Sequence, residues 1–323
     1  MKAEHITFSD KLRRFVKENG SFVIFMLICI LASLFVPRFA SFNNFALVLK
    51  QASIPIIGCC GMMIVLMTGG IDLSFGYMIG LSSIAVGLMV KTHEMNPFLA
   101  IAITVLIGVV VGAVNGICVQ KVHVPAFITT LGTGYLLLGI AQIISNGSSI
   151  NRLPQAFLAI GKTKFAGGKL NTTVIIAAVF CLIFFYLLHM SIYGRRLSAF
   201  GLSEPASRFS GLATAKLNIS AYIICSVIAS ICGVLLSMDV NCAQPTMGGG
   251  DYTFTIITSC VLGGVSLFGG VGSVPGVIFG AMTLKVINNC INLMNAPYYL
   301  GSAIQGIVIL LDIILENVKN RKL

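Results

Sequence analysis

Residues 97–119 read PFLAIAITVLIGVVVGAVNGICV and carry no charged side chain. A helix rises about 1.5 Å per residue, so a stretch of this length can cross the ~30 Å hydrocarbon core of a bilayer. Gly108, Gly112 and Gly116 recur every four residues, which leaves one helix face smooth enough for another helix to approach closely. The stretch predicts a membrane-spanning helix whose glycine face packs inside the chain, with a subunit contact as the alternative.

The whole chain has the composition of a membrane protein. Of its 323 residues, 57% are apolar and 10% are charged, and the mean hydropathy is +0.97. Soluble domains have about 25% charged residues, so a water-soluble enzyme with a single core is excluded, as is a disordered chain. The sequence predicts an all-α fold, a polytopic transmembrane helical bundle of about ten spans. The predicted spans are 21–36, 45–67, 74–90, 97–119, 124–145, 171–190, 218–238, 253–266, 274–291 and 299–317.

One of these runs, 253–266, is too short to cross a bilayer unaided. Backbone that leaves the helical conformation inside a membrane must be shielded by other protein. We therefore expect this span to be broken or partly re-entrant.

The distribution of basic residues predicts the orientation. The formal net charge is +11, and Lys and Arg are enriched in cytoplasmic loops. With ten spans and a cytoplasmic amino terminus, 13 Lys and Arg residues fall inside and 6 outside, so the charge requires no nucleic-acid partner. The prediction is a cytoplasmic segment at 1–20, a transmembrane domain at 21–317 with its longest inner loop at 191–217, and a cytoplasmic tail at 318–323.

A few polar side chains interrupt the predicted spans. Because polar groups are costly in the bilayer, these residues are the informative ones. Amides can replace the hydrogen bonds of an uncharged, hydroxyl-rich solute as it leaves water, but they also join helices to one another. Both interpretations stay open for the path candidates, which are Asn115, Asn288, Asn292 and Gln305.

The inner loop at 191–217 contains the signals of a short helix. Ser203 can cap its start, Arg208 suits its last turn, and Gly211 can end it. This predicts about two turns of helix with Phe209 free for contact. A surface stub without a partner is the alternative.

Signals of catalysis or metal binding are lacking. The sequence at 161–163 ends like a phosphate-binding loop, but Ala156 occupies the position of the required first glycine. The four histidines are scattered, and the ten cysteines include no C-x-x-C pair. We expect no enzyme activity and no metal site, and the lack of buried acid clusters argues against a gradient-driven secondary transporter. Any energy source then lies in another chain or in a gradient.

Four ordered motifs carry a family resemblance. They are TGGIDLSFG at 68–76, PAFITTLG at 125–132, YGRR at 193–196 followed by SEPASRFSG at 203–211, and GGVSLFGGVG at 263–272. Together they resemble the membrane permease of bacterial ABC importers for ribose, galactose, xylose and related small sugars. The motif residues retained here are Gly69, Gly70, Asp72, Gly263, Gly264, Gly269 and Gly270. We expect the glycines to serve close packing or turns, and Asp72 to cap a helix or to make a gating contact.

The resemblance implies a protein of the bacterial cytoplasmic membrane with both termini in the cytoplasm. It implies a second permease copy or a related one, a cytoplasmic ATP-binding subunit that holds ATP and Mg, and a periplasmic or lipid-tethered sugar-binding protein. No cofactor is expected in this chain. Related permeases carry nucleosides, a signalling furanose or branched-chain amino acids, which remain alternatives to a monosaccharide. The residues expected to couple to the ATPase are Ser203, Glu204, Arg208, Phe209 and Gly211.

Overall fold

The structure is a computed structural model that describes residues 19–165, 170–297, 299–304, 306, 307 and 310. In its first half the helices are α1 (Gly20–Phe35), α2 (Phe42–Met67), α3 (Phe75–Gly87), α4 (Pro97–Gln120), α5 (Ala126–Ser145) and α6 (Gln155–Lys162). The second half contains α7 (Thr172–Phe185), α8 (Ile192–Leu202), α9 (Glu204–Phe209), α10 (Thr214–Val240), α11 (Gly249–Leu262) and α12 (Val274–Leu293). Single π-helical turns, Leu88–Thr92 and Tyr186–Met190, extend α3 and α7.

Within the described residues, seven helical segments are long and apolar enough to span a membrane. They are Phe42–Met67, Phe75–Thr92, Pro97–Gln120, Ala126–Ser145, Thr172–Met190, Thr214–Val240 and Val274–Leu293. Each coincides with a predicted span, which confirms an all-α polytopic bundle. The count of about ten stays a prediction, because α1 has 16 residues, α11 has 14, and most of the run 299–317 lies outside the described residues.

Several helices begin where the sequence offers a cap. Asn96 accepts the N–H of Phe98 at 2.9 Å, and Pro97 occupies the first position of α4, where its missing N–H costs nothing. Ser273 accepts the N–H of Gly276 at 3.2 Å and starts α12 in the same way. These starts are local, so the sequence predicts them well.

The glycine face of α4 packs against α10. A methyl group built at Gly112 would lie 2.5 Å from the Ile223 Cα atom, and one built at Gly116 would lie 2.8 Å from the Ile219 Cα atom. A methyl at Gly108 would overlap the Ser230 hydroxyl. The predicted internal packing of this face is therefore confirmed.

The chain enters α11 through a non-helical segment, residues 241–248, that lies along α3. Ser83 of α3 donates its hydroxyl to the Gln244 carbonyl at 3.0 Å and accepts the Gln244 N–H at 3.3 Å. The contacts of this segment run from Gly87 down to Gly76, about 16 Å along α3. The non-helical residues 241–248 before α11 are thus shielded by α3. That the run 253–266 is broken or partly re-entrant in the membrane stays a prediction.

The bundle has two different ends. At one end, which we call the strand end, β1 (Ile150–Asn151) pairs antiparallel with β4 (Cys242–Ala243). A second small hairpin there joins β2 (Lys164–Phe165) to β3 (Leu170–Asn171). The other end gathers residues 68–70, 121–125, 191–213 and 263–273, and we call it the loop end.

Candidate functional site

The predicted short helix of the loop end is α9, and both of its ends are capped. Ser203 accepts the N–H of Ala206 at 3.3 Å. At the other end Gly211 has a φ of +79°, its N–H bonds to the Arg208 carbonyl at 3.0 Å, and the next N–H, of Leu212, bonds to the Ser207 carbonyl at 3.1 Å. This pair of bonds is a Schellman motif, which favours glycine because of the positive φ. The caps stabilise a helix of only six residues.

α9 carries a charge at each end, one buried side chain and one exposed aromatic ring. Glu204 lies in the first turn and Arg208 in the last, where each complements the helix dipole. Ser207 is buried against the bundle, whereas Phe209 is 94% exposed. An aromatic ring this exposed on a rigid, doubly capped helix is typical of a contact surface for another protein.

Two amide side chains that sequence reasoning missed connect α9 to the spans. The Gln120 side chain, at the end of α4, donates to the Glu204 carboxylate at 3.1 Å. Its oxygen in turn accepts from the Asn218 amide of α10 at 2.6 Å. These two hydrogen bonds connect Asn218 of α10, Gln120 of α4 and Glu204 of α9 in series, and we call this series the relay. In the sequence Gln120 and Asn218 are simply polar residues at the ends of predicted spans. Polar residues are common there, so neither was noticeable.

A second connection joins α8 to α10. The Tyr193 and Ser220 hydroxyls lie 3.0 Å apart. Burial raises the pKa of Tyr193, and the hydrogen bond with Ser220 acts in the opposite direction. The phenol therefore stays protonated at physiological pH, and this junction carries no charge.

The glycine-rich motifs at 68–70 and 263–272 meet α8. The N–H of Gly270 bonds to the Met67 carbonyl at 2.9 Å, and Ser198 of α8 donates to the Gly270 carbonyl at 2.6 Å. A methyl group at Gly201 would overlap the Met67 carbonyl oxygen. Four of the motif glycines have a positive φ, namely Gly69, Gly264, Gly269 and Gly270. The remaining three are crowded, because a methyl at Gly263 would lie 2.8 Å from the backbone of α12, one at Gly70 would lie 2.5 Å from the Tyr222 hydroxyl, and one at Gly272 would lie 3.0 Å from the Met67 side chain.

Asp72 lies fully buried just before α3. One carboxylate oxygen, Oδ1, accepts the N–H of Ser74 at 2.9 Å and its hydroxyl at 2.5 Å. The Ser74 hydroxyl accepts in turn from the Asn115 amide of α4 at 2.9 Å. Among the described residues the other oxygen, Oδ2, has no hydrogen-bond partner. Asp72 thus holds the backbone ahead of α3 and ties it to α4.

The predicted path residues lie in different environments, and their role in a solute path stays a prediction. Asn115 is buried against the loop at 68–74, while Asn288 is half-buried and Asn292 is exposed on α12. Gln305 lies outside the residues whose side chains are described. The neighbour Asn289 exchanges two amide hydrogen bonds of 2.9 Å with Asn44 of α2. Asn44 was not singled out in the sequence, and its bonds with Asn289 make this position of α12 an interhelical contact.

No group of three or more metal-binding side chains occurs in the part of the chain that the structure describes. With seven long apolar helices among its described residues, the bundle is that of a multi-pass membrane protein. More specifically, the chain belongs to the family described as the branched-chain amino acid transport system permease component, whose model matches residues 44–312.

Named relatives match nearly the whole chain. The ribose import permease protein RbsC of Escherichia coli (strain K12) is 34% identical, over 95% of this chain and 96% of the relative. The corresponding protein of Bacillus subtilis (strain 168) is 31% identical, over 99% and 100%. The L-arabinose transport system permease protein AraH of Escherichia coli (strain K12) is 30% identical, over 94% and 92%. No solved structure matches the chain.

Proposed function

We propose that this chain is the permease subunit of an ABC importer that moves a monosaccharide across the cytoplasmic membrane. Its relatives are named as permeases for ribose and for L-arabinose. A separate cytoplasmic subunit would bind ATP and Mg, and a periplasmic or lipid-tethered receptor would deliver the sugar. A second copy of the chain, or a related permease, would complete the pathway.

The observation that carries this proposal is the connection of α9 to the spans. The exposed Phe209 offers the ATPase a contact, and the relay through Gln120 and Asn218 joins the same helix to α4 and α10. A push on α9 would therefore reach two membrane-spanning helices. Because a ligand shifts an equilibrium only by binding two states differently, nucleotide binding to the partner supplies the bias.

The orientation in this proposal follows the basic residues. With ten spans, segments 1–20 and 318–323 fall on the side of the loop end. Together with Lys121, Arg195, Arg196, Arg208 and Lys216 they give 13 Lys and Arg on that side, against 6 on the other. Since Lys and Arg favour the cytoplasmic side, the loop end faces the cytoplasm. Segments 1–20 and 318–323 would then be cytoplasmic, on either side of a transmembrane domain at 21–317.

The test is Phe209→Asp in the importer reconstituted with its ATPase subunit and its receptor. We expect receptor-stimulated ATP hydrolysis to be abolished, while membrane insertion and the amount of folded permease stay unchanged. Val122→Asp is the matched control, because Val122 is 62% exposed at the same end of the bundle but lies outside α8 and α9. Stimulation retained in Phe209→Asp would remove α9 from the coupling mechanism.

The solute is tested in the same preparation. Ribose, L-arabinose, xylose and galactose are each added with the receptor, and ATP hydrolysis is measured. Stimulation by one of these sugars supports a monosaccharide importer. Stimulation by a nucleoside or a branched-chain amino acid instead would move the chain to another substrate class of the same family.

A further inference from the structure

Three polar side chains that the proposed coupling does not use lie together on α3, α5 and α11. The Tyr77 and Tyr135 rings are 5.6 Å apart between centroids, at an interplanar angle of 34°. A methyl group built at Gly250 would lie 3.7 Å from the Tyr77 hydroxyl, so the start of α11, with Asp251, reaches the same place. We call Tyr77, Tyr135 and Asp251 the tyrosine–acid cluster.

The cluster lies near the middle of the membrane. α5 has 20 residues, and Tyr135 is close to its centre, about 14 Å from either end. α11 ends at Leu262, at the loop end, so Asp251 lies about 16 Å from that end of the helix. Both estimates place the cluster at about half the ~30 Å thickness of a hydrocarbon core.

The cluster is exposed on the surface of the single chain. Tyr135 is 60% exposed, Asp251 is exposed, and Tyr77 is half-buried. A carboxylate that faces lipid tails at this depth is strongly unfavourable, and ionisable groups inside membranes face protein or water-filled cavities. By contrast, α7 exposes an apolar side chain near its own centre, Leu182 at 70%. A carboxylate at this depth needs protein or water around it, so we expect the face of the cluster, unlike that of Leu182, to lie away from the lipid tails.

We propose that the tyrosine–acid cluster lines the solute path and binds the polyhydroxylated solute at mid-membrane. This inference rests on the proposed transport of a monosaccharide. The two oxygens of Asp251 can accept hydrogen bonds from two neighbouring hydroxyl groups, and charge-assisted bonds of this kind are the stronger ones. The tyrosine rings offer an apolar face for the C–H surface of a sugar and a hydroxyl at the tip.

Water access to the cluster is tested by cysteine labelling in the assembled importer. The background has Cys29, Cys118, Cys181 and Cys290, the partly exposed cysteines, replaced by alanine. Tyr135→Cys should react with a membrane-impermeant thiol reagent, whereas Leu182→Cys should not, because a thiol in hydrocarbon does not ionise. Equal rates for the two variants would overturn the proposal, as would complete protection of Tyr135→Cys by a second copy packed on it.

Solute binding is tested with Asp251→Asn, which keeps the shape of the side chain. We expect uptake of labelled ribose or L-arabinose at limiting concentration to fall about tenfold or more, because a charge-assisted hydrogen bond is lost. The elution volume of the complex and the amount of folded permease should not change. Unchanged uptake by Asp251→Asn would refute the binding role. Failure of the wild-type importer to transport either sugar would instead refute the proposed function, and the labelling result does not depend on it.

Discussion

Replacing Gln120 by methionine tests whether the relay behind α9 carries the coupling. The substitution keeps the length of the side chain but removes both hydrogen bonds. Glu204 is exposed, so water replaces its lost bond at a cost of about 0.5 kcal/mol. Asn218 is only 8% exposed, and its Oδ1 already has no partner among the described residues, so stranding its amide costs about 1 to 3 kcal/mol. We expect Gln120→Met to lower the free energy of unfolding by about 2 kcal/mol in total.

A double-mutant cycle separates this loss from a general destabilisation. In the Gln120→Met background, Asn218→Leu removes the stranded amide, so the two changes together should cost about 1 kcal/mol less than their sum. Thermal unfolding of the solubilised complex gives these values, and the ratio of sugar transported to ATP hydrolysed gives the coupling. We expect Gln120→Met to lower that ratio, whereas the control Gln142→Met, at an exposed glutamine near the strand end, should leave it unchanged. Additive stabilities together with an unchanged ratio would refute the relay.

Two further predictions concern packing within the bundle. Gly112→Ala should lower the free energy of unfolding by about 2 kcal/mol, because its methyl group meets the Ile223 backbone. The control Gly132→Ala should be neutral, because no atom lies within 4 Å of the added carbon. Equal thermal midpoints for the two variants would contradict the close approach of α4 and α10. Asn289→Ala and Asn44→Ala should each destabilise the protein, with a coupling energy of about 0.6 to 1.7 kcal/mol in a double-mutant cycle, and should leave sugar uptake per folded permease unchanged. Reduced uptake without a loss of stability would show instead that these amides line the path.

Much of the architecture was predictable from local patterns. The seven confirmed spans follow from uninterrupted apolar length, and the caps of α9 follow from residue types at fixed spacings. The short run 253–266 coincides largely with α11, which has only 14 residues, and its incomplete crossing of the bilayer stays a prediction. Each of these features depends on residues within one turn or one run of the chain, so no knowledge of distant neighbours was needed.

The arrangement of the polar residues was much less accessible. Asn44 and Asn289 are 245 positions apart, and Gln120 and Glu204 are 84 apart. The path interpretation grouped Asn115 with the amides of α12, yet the structure binds Asn115 to the loop at 68–74. An amide inside a span requires a hydrogen-bond partner, but the residues next to it in the sequence do not determine which helix supplies that partner.

Composition and spacing alone were thus enough for a membrane bundle, its helix ends and its close-packed glycine face, because hydrophobic length, capping and the four-residue helical repeat are local properties. The three-dimensional packing of the helices settled which amides pair, which loops meet at one end, and that Tyr77, Tyr135 and Asp251 share one surface. These contacts form when separate helices hydrogen-bond to one another's polar groups and pack against one another's surfaces. The interaction energy depends on both helices of each pair, so the sequence of one helix alone does not determine it.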